Sequence, residues 1–294
     1  MKFTPLRYPG GKQKLAPFLF EVIRANKLAG CSYVEPFAGG AGAAIALLFK
    51  GYVSKVHLND ACLGVYSFWS SVLSETDAFC KKIDSAVMSV EEWRRQKEIL
   101  LRPDEFSEIQ VGFSLFYLNR VNRSGIVASG GLIGGLRQDG DWKMDVRFNK
   151  KDLIRRVEAI ASRRKSINVY RLDAEIFLKE CLPSIDGDPL LYCDPPYYCK
   201  ADKLYLNYYK SEDHERLARA IQKIPQRWIV SYDAAPQVIQ NYPNQRSFIY
   251  DLQYNAGKAY KGREVLIFSD DLEIPRESAL PSLDVAVRAH HRVE

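Results

Sequence analysis

The spacing of apolar positions predicts alternating strands and helices in two separate stretches of the chain. In the first stretch, a buried strand over residues 32–37 runs into a helix of small residues that continues to Lys50. A second strand over residues 53–59 then precedes an amphipathic helix, which is the beginning of a βαβ unit. In the second stretch the predicted elements are strands over residues 167–172, 190–193 and 228–232 and helices over residues 174–181, 211–224 and 236–242.

The pattern between these two stretches is mainly helical, with helices predicted over residues 91–101 and 109–119. A glycine-rich segment, residues 124–140, follows them and excludes a regular helix or a sheet core there. This middle part therefore has the character of an insertion. The predicted division is a sheet domain of residues 1–73 and 166–274, an insertion of residues 74–165 and a tail of residues 275–294.

The end of the chain holds two more predicted strands, over residues 246–254 and 264–269, which can pair as a hairpin around residues 255–262. The tail beyond has little apolar periodicity, and we expect it to be frayed or disordered. Taken together, the elements predict an α/β fold in which a Rossmann-like parallel sheet is split by a mainly helical insertion.

Composition excludes several other classes of protein. With 47% hydrophobic and 12% aromatic residues the chain can bury a core, and it is neither collagen-like, coiled coil nor low-complexity. The longest apolar run, residues 41–49, is far shorter than the roughly 20 residues that span a bilayer, so we expect no membrane span and a cytoplasmic protein. The six cysteines form no CxxC pair, and neither a metal site nor a disulfide framework is expected.

Positive charge is concentrated in the insertion. The whole chain carries a net charge of +6, whereas residues 119–165 alone hold twelve basic and five acidic residues, a net charge of +7. Such a local excess favours an acidic partner such as nucleic acid.

The strongest chemical signal is Asp194-Pro195-Pro196-Tyr197, directly after the predicted strand 190–193. The carboxyl end of a parallel strand is where open α/β folds bind ligands. The two prolines remove two N–H donors and keep the backbone extended, so the site can only accept hydrogen bonds. An exocyclic amino group fits such a site, with its hydrogens on the Asp194 carboxylate and the Pro195 carbonyl and its ring stacked on Tyr197.

A second signal is the glycine-rich turn Glu35-Pro36-Phe37-Ala38-Gly39-Gly40-Ala41-Gly42, which joins the first strand to its helix. Its small residues let a ligand approach the backbone, but it lacks the GxGxxG and GK[ST] spacings of NAD and P-loop sites. Asp60 ends the next strand, where an acidic side chain can bind ribose hydroxyls. Capping of the following helix is the alternative role for Asp60.

In their order along the chain, the motifs Arg7-Tyr8-Pro9-Gly10-Gly11-Lys12, Glu35–Gly42, Leu58-Asn59-Asp60 and Asp194–Tyr197 resemble the DNA adenine methylase (Dam-like) family of N6-adenine methyltransferases. The resemblance covers nearly the whole chain. It implies a Rossmann-like domain that uses S-adenosylmethionine, a target-recognition insertion and double-stranded DNA as substrate. It implies no metal, it allows a cognate restriction endonuclease as a partner, and it leaves the oligomeric state open.

The resemblance also implies roles for individual residues. Tyr8 and Lys12 would contact the cofactor, the turn would shape its methionine pocket, and Asp60 would hold its ribose. Asp173 would lie near the cofactor adenine, with helix capping as the alternative. The implied methyl-transfer residues are Asp194, Pro195, Pro196 and Tyr197, and the implied cofactor-binding residues are Tyr8, Lys12, Glu35, Pro36, Phe37, Gly39, Gly40, Asp60, Asp173 and Asp194.

The insertion departs from the family's pattern. It begins with Phe116-Tyr117-Leu118-Asn119-Arg120, but then reads Val121-Asn122-Arg123-Ser124-Gly125 where the best-known GATC methylases have an aromatic-Asn-Gly segment. The difference argues against a GATC target. Arginine can bind guanine with two hydrogen bonds, and both Lys and Arg neutralise phosphates. The candidate DNA-binding residues are Asn119, Arg120, Arg123, Ser124, Arg137, Lys143 and Arg147.

The sequence therefore predicts an enzyme that flips an adenine out of double-stranded DNA and methylates its N6 with S-adenosylmethionine. Two alternatives remain at this point. One is methylation of cytosine N4, which presents a similar amine. The other is a catalytically silent DNA-binding protein on the same fold.

Overall fold

The computed structural model describes residues 3–7, 12–198, 209–254 and 260–275. In this part of the chain a single sheet holds seven strands in the order β3-β2-β1-β4-β5-β7-β6. The first five strands are parallel, and β7 is antiparallel to both β5 and β6. The strands are β1 Ser32–Glu35, β2 Lys55–Asn59, β3 Ile167–Tyr170, β4 Leu190–Cys193, β5 Arg227–Asp233, β6 Arg246–Tyr254 and β7 Tyr260–Phe268.

Helices cover both faces of this sheet. They are α1 Ala16–Ala25, α2 Gly42–Phe49, α3 Leu63–Ser74, α4 Thr76–Asp84, α5 Val90–Leu101, α6 Glu108–Val121, α7 Lys150–Ala161, α8 Ala174–Ile176, α9 Ser211–Ile221 and α10 Pro236–Gln240. A 3₁₀ turn, Lys12–Leu15, leads into α1, and a π-helical turn, Phe177–Cys181, continues α8.

The two-residue period of the strands creates two cores. On β1, Tyr33 faces the core under α1, α2 and α3, whereas Val34 faces the core under α8, α9 and α10. The same alternation separates Tyr192 from Cys193 on β4. Because both faces are covered, the central strands β1, β4 and β5 are buried along most of their length, as expected for such a sheet.

The connection reverses between β1 and β4, because the chain builds β2 and β3 on one side of β1 and returns to place β4 on the other side. Such a reversal leaves a crevice at the carboxyl ends of the two central strands, where ligands bind in open α/β folds. The residues that follow β1 and β4 are the glycine-rich turn and Asp194-Pro195-Pro196-Tyr197. The fold therefore brings the two strongest sequence motifs to one place.

The insertion packs directly on the sheet domain and shares its core. The rings of Phe68 on α3 and Phe116 on α6 stack with centroids 6.0 Å apart, and Phe79 on α4 meets both at 5.6 Å. Gly112 allows this close approach, since a Cβ there would lie 2.5 Å from the carbonyl oxygen of Ser67. Nearly every position of α6 from Val111 to Val121 is buried, which is typical of a helix enclosed by others.

The mixed α/β fold agrees with the prediction from sequence, and the residues between β2 and β3 are mainly helical. Strand β4 and the final β6–β7 hairpin lie where the apolar pattern places them, although β7 begins at Tyr260 rather than at Glu264. The pattern did not predict α1, α4 or α7 individually. Among the described residues, none of the helices is both long and apolar enough to cross a bilayer.

Candidate active site

Asp194 lies at the carboxyl end of β4, and one of its two carboxylate oxygens is firmly held. Oδ1 accepts a hydrogen bond from the Ser231 hydroxyl at 2.6 Å and forms an ion pair with the Lys12 ammonium at 2.9 Å. Among the described residues no donor binds Oδ2, and a quarter of the Asp194 side chain is exposed. The carboxylate is thus oriented through one oxygen and open to a ligand through the other.

Ser231 is itself oriented by the neighbouring strand. It lies on β5, and its hydroxyl accepts a hydrogen bond from the Tyr192 hydroxyl at 2.8 Å. Tyr192 and Asp194 are two positions apart and therefore face the same side of the sheet. The resulting chain of donors runs from Tyr192 through Ser231 to Asp194 and fixes the direction of the Ser231 proton.

Lys12 reaches the site from the turn before α1 and is almost completely buried, with 6% of its side chain exposed. Its ammonium lies between two carboxylates, 2.9 Å from Asp194 and 3.3 Å from Glu264. It also donates to the Tyr197 hydroxyl at 3.4 Å. Burial alone would lower the pKa of Lys12, but Asp194 and Glu264 together hold that pKa well above its usual value.

Glu264 is fully buried on β7 and accepts hydrogen bonds through both oxygens. Oε1 accepts from the Tyr197 hydroxyl at 2.6 Å, and Oε2 accepts from the Tyr250 hydroxyl at 2.5 Å. Because β7 is antiparallel, its early residues lie at the edge where the parallel strands end. We refer to the seven side chains joined in this way as the carboxylate cluster: Lys12, Tyr192, Asp194, Tyr197, Ser231, Tyr250 and Glu264.

The charges of the carboxylate cluster do not cancel. Two acidic groups, Asp194 and Glu264, surround one ammonium, so the cluster carries an excess negative charge when all three are ionised. Burial raises the pKa of Asp194, while the Lys12 ammonium acts against that increase. The excess charge makes the site suitable for a positively charged ligand.

Two acidic residues, Glu35 and Asp60, accept hydrogen bonds from backbone N–H groups in and directly after the glycine-rich turn. Glu35, 5% exposed, accepts the N–H of Ala44 in the first turn of α2 at 3.2 Å. Asp60 accepts the N–H of Gly39 at 2.9 Å and that of Cys62 at 2.9 Å. Burial raises the pKa of Glu35 to about 8 and that of Asp60 to about 6. Asp60 therefore binds the turn and the start of α3 together, in addition to any contact with a ligand.

Asn59, which sequence reasoning did not select as a site residue, connects three strand ends. Its side-chain NH₂ donates to the carbonyls of Pro36 and Leu172 at 3.0 Å each, and its carbonyl oxygen accepts the N–H of Leu172 at 2.9 Å. It is completely buried. The signal in the sequence that could have indicated this role was a polar residue, Asn59, at the end of a predicted strand.

The other predicted cofactor residues occupy different surroundings. Phe37 and Gly40 lie in the turn beside Pro36, and the Phe37 ring meets the edge of Tyr209 at 5.9 Å. Asp173 is exposed and caps α8 through the N–H groups of Glu175 and Ile176, which is the alternative that the sequence left open. Tyr8 lies outside the described residues.

Tyr198 and Tyr209 contact an aromatic group around His214. The backbone N–H of Tyr198 donates to Asp233 at 2.8 Å, and the rings of Tyr198 and Tyr209 lie 5.2 and 5.4 Å from the imidazole of His214. His214 is buried and bonds to the Tyr232 hydroxyl at 2.9 Å. Burial lowers the pKa of His214, which favours its neutral form in this apolar setting.

The predicted DNA-binding residues divide into buried and exposed ones. Asn119 is fully buried: its side chain accepts the N–H of Arg7 at 2.6 Å and donates to the carbonyls of Arg7 and Gly125. This burial disagrees with the expected contact to DNA. The amide instead fixes the amino-terminal segment to the insertion, because three backbone groups there need partners.

Arg120 is also largely engaged inside the protein. Its guanidinium donates to the backbone carbonyls of Pro5, at 3.3 Å, and of Arg147. Burial and the nearby guanidinium of Arg7 lower the pKa of Arg120 to about 9. Arg120 therefore stabilises the amino-terminal segment, and only part of its side chain faces solvent.

The remaining candidates lie on the surface of the insertion. Arg123 and Arg137 line an open groove of about 690 Å³, and Arg137 is paired with Asp139 at 3.0 Å while remaining 88% exposed. The groove also contains the exposed side chains of Leu136 and Trp142, the latter 69% exposed, which sequence reasoning did not select. Lys143 and Arg147, which follow Trp142 in the sequence, are also exposed. The backbone of Ser124 adopts a left-handed conformation with φ 59°.

The chain matches the model of a known family over most of its length. The model of the family described as D12 class N6 adenine-specific DNA methyltransferase matches residues 8–260. The chain belongs to this family. No curated protein matches the sequence.

The family decides between the functions that the sequence left open. The methyltransferase acts on DNA and modifies N6 of adenine, and the two alternatives, cytosine N4 methylation and a silent DNA-binding protein, are not supported. The Rossmann-like arrangement of the sheet agrees with this assignment. The matched residues include both central motifs, Glu35–Gly42 and Asp194–Tyr197, and the whole insertion.

Proposed function

We propose that the methyltransferase uses S-adenosylmethionine as methyl donor and that Asp194 accepts a hydrogen bond from the amino group of a flipped adenine. The observation that carries this proposal is the state of the Asp194 carboxylate. Ser231 and Lys12 bind Oδ1, whereas Oδ2 has no described donor and the side chain is partly exposed. An acceptor that is held in place before the substrate arrives needs no reorganisation during the reaction.

The residues around the crevice at the carboxyl ends of β1 and β4 fit this cofactor by their chemistry. S-adenosylmethionine supplies a methyl group activated by a positively charged sulfur. The excess negative charge of the carboxylate cluster favours such a cation. We assign Lys12, the turn residues Glu35–Gly42 and Asp60 to cofactor binding.

The residues Asp194–Tyr197 then polarise the amino group of the adenine. An aromatic amine is a poor nucleophile because its lone pair is delocalised into the ring. Acceptors on both N–H groups, the Asp194 carboxylate and the Pro195 carbonyl, draw the nitrogen towards tetrahedral geometry. In support, no described N–H or O–H group binds the carbonyl oxygen of Pro195. After transfer N6 carries one proton less, and Asp194 is placed to take it.

Tyr197 provides the stacking surface for the adenine in this proposal. Only 7% of the residue is exposed, and its hydroxyl is fixed by Glu264 and Lys12. These bonds set the position of the ring, so that the adenine meets a fixed aromatic surface rather than a mobile one.

We assign the DNA contacts to the insertion, residues 74–165, as a target-recognition region. Arg123, Arg137, Lys143 and Arg147 supply exposed positive charge, and Trp142 offers a ring that can stack on bases. Extruding a base costs a few kcal/mol of stacking, which an exposed aromatic side chain can offset by filling the vacated space.

The test compares Asp194→Ala with Asp188→Ala. Asp188 precedes the other end of the same strand, pairs with Arg227 and is 57% exposed, so its substitution controls for loss of a carboxylate near β4. Binding of S-adenosylmethionine is measured by calorimetry, and methyl transfer to unmethylated DNA is measured in single turnover.

We expect Asp194→Ala to bind the cofactor within about threefold of wild type but to lose about 10²–10³-fold in transfer rate, as for other polarising groups. Asp188→Ala should retain both properties. Near-normal transfer by Asp194→Ala would overturn the role of Asp194, and absence of cofactor binding by the wild type would overturn the choice of donor.

A further inference from the structure

Glu264 has no counterpart in the sequence motifs, and it lies beyond residues 8–260 that match the family. It nevertheless contacts the same ammonium as Asp194. Lys12 lies 3.3 Å from Glu264 and 2.9 Å from Asp194, and all three side chains lie at the edge of the sheet where the adenine is expected. The three groups therefore form one electrostatic unit.

The surroundings of this unit come from every element packed on it. Lys12 approaches from the turn before α1, Tyr192 and Asp194 belong to β4, and Tyr250 lies on β6 opposite Glu264. Among the described residues, the ionisable groups that interact with the unit include Tyr33, Glu35, Tyr192, Cys193, Tyr197 and Tyr250, and Asp233 is paired with Glu264 in the strand register. Lys12 supplies the positive charge of the unit.

Lys12 has opposite effects on Asp194 that must be balanced. Its ammonium orients the carboxylate, but a nearby unit charge also withdraws negative charge from the oxygen that has to accept the amine. With Lys12 as the only neighbour, Asp194 would be a well-placed but weak acceptor. Glu264 offsets the cation from its other side, without direct access to the substrate because Glu264 is fully buried.

We propose that Glu264 is a positioning residue for methyl transfer: by sharing the Lys12 ammonium, it keeps Asp194 a strong acceptor for the adenine amino group. The hydroxyls of Tyr197 and Tyr250 donate hydrogen bonds to Glu264, and the Lys12 ammonium holds it from a third direction. The inference rests on the proposed function, since it acts through Asp194.

The experiment measures the single-turnover rate of methyl transfer against pH, with cofactor and DNA both saturating, for wild type and three variants. Glu264→Gln removes the charge and keeps the volume, Glu264→Asp restores the charge, and Tyr250→Phe removes one hydrogen bond to Glu264 without changing any charge. Cofactor affinity and thermal unfolding are measured on each protein.

We expect the acid limb of the Glu264→Gln profile to move to lower pH by about one unit, because Lys12 then acts on Asp194 alone. The plateau rate should fall about tenfold or more, as expected for a weaker base, with cofactor affinity within about threefold of wild type. In Glu264→Asp and in Tyr250→Phe the acid limb should stay at its wild-type position.

An unshifted acid limb in folded Glu264→Gln would overturn the inference, while an active wild type would leave the proposed function standing. If instead the wild type transfers no methyl group, the proposed function itself fails. Should Glu264→Gln not fold, Glu264→Met takes its place, since it also removes the charge at similar volume and keeps Lys12. It should show the same shift of the acid limb to lower pH, and an unshifted limb would overturn the inference.

Discussion

At the scale of single residues, the site depends on buried charges whose partners are far apart in sequence. Asp194 and Lys12 were both selected from motifs, but 182 positions separate them, and no spacing rule relates such residues. Ser231 and Glu264 were not selected, because one polar residue in an apolar strand is common. Their roles follow only from the strand order, which places β5 beside β4 and β7 beside β5.

Glu35 provides a test at this scale through the pH dependence of stability. Burial raises its pKa to about 8, so between its ordinary value near 4.5 and about 8 the folded protein keeps a proton that the unfolded chain has lost. The free energy of unfolding should therefore fall as pH rises through this window. The slope due to this one group is at most about 1.4 kcal/mol per pH unit.

Urea unfolding of wild type and Glu35→Gln at pH 6.5, 7.0 and 7.5 measures this contribution. The stability of Glu35→Gln relative to wild type should increase with pH. Glu158→Gln, which changes an exposed carboxylate on α7, should remain parallel to wild type. A constant difference between Glu35→Gln and wild type would contradict the assigned pKa.

At the scale of elements, most of the parallel strands and of the longer helices could be predicted, because their apolar periods are regular. Helix α1 was not predicted, although Phe18, Leu19, Val22 and Ile23 form a buried face at helical spacing. The sequence analysis used the segment before it, Arg7–Lys12, only as a motif and predicted no element after it. The strand order could not be derived either, since pairing between distant strands leaves no local pattern.

Asn59 tests how the strand ends are held together. Asn59→Ala would leave the buried backbone groups of Pro36 and Leu172 without partners. We expect a loss of about 2–4 kcal/mol in the free energy of unfolding, together with weaker cofactor binding, because the glycine-rich turn starts at Pro36.

The matched control is Asn168→Ala, which removes an exposed asparagine from the neighbouring strand β3. It should change stability by no more than about 0.5 kcal/mol. Equal effects of the two substitutions in chemical denaturation would show that Asn59 has no special structural role.

At the scale of the whole molecule, the candidate DNA-binding residues of the positively charged region have two different roles. Arg120 and Asn119 fasten the amino-terminal segment to the insertion, which no charge count could reveal. Arg123 and Arg137 remain exposed beside Trp142 in the groove. Composition therefore located the positive region, whereas burial distinguishes its structural members from those available to DNA.

The double substitution Arg123→Ala/Arg137→Ala tests this division. If each arginine neutralises one phosphate, duplex affinity should decrease and the slope of log K against log salt concentration should become shallower by about 2. Thermal unfolding should not change, because both side chains are exposed. Arg219→Ala, an exposed arginine on α9, should leave the slope as in wild type; a similar slope for the double variant would contradict the assignment.

The most direct test of the whole account is transfer of labelled methyl groups from S-adenosylmethionine to DNA that lacks adenine methylation, followed by digestion to nucleosides and mapping of the modified positions. We expect label in N6-methyladenine alone, within one short sequence; a sequence other than GATC would show that the insertion's departure from the family's pattern matters. Label in N4-methylcytosine, or no label in DNA from an enzyme that binds the cofactor, would contradict the account.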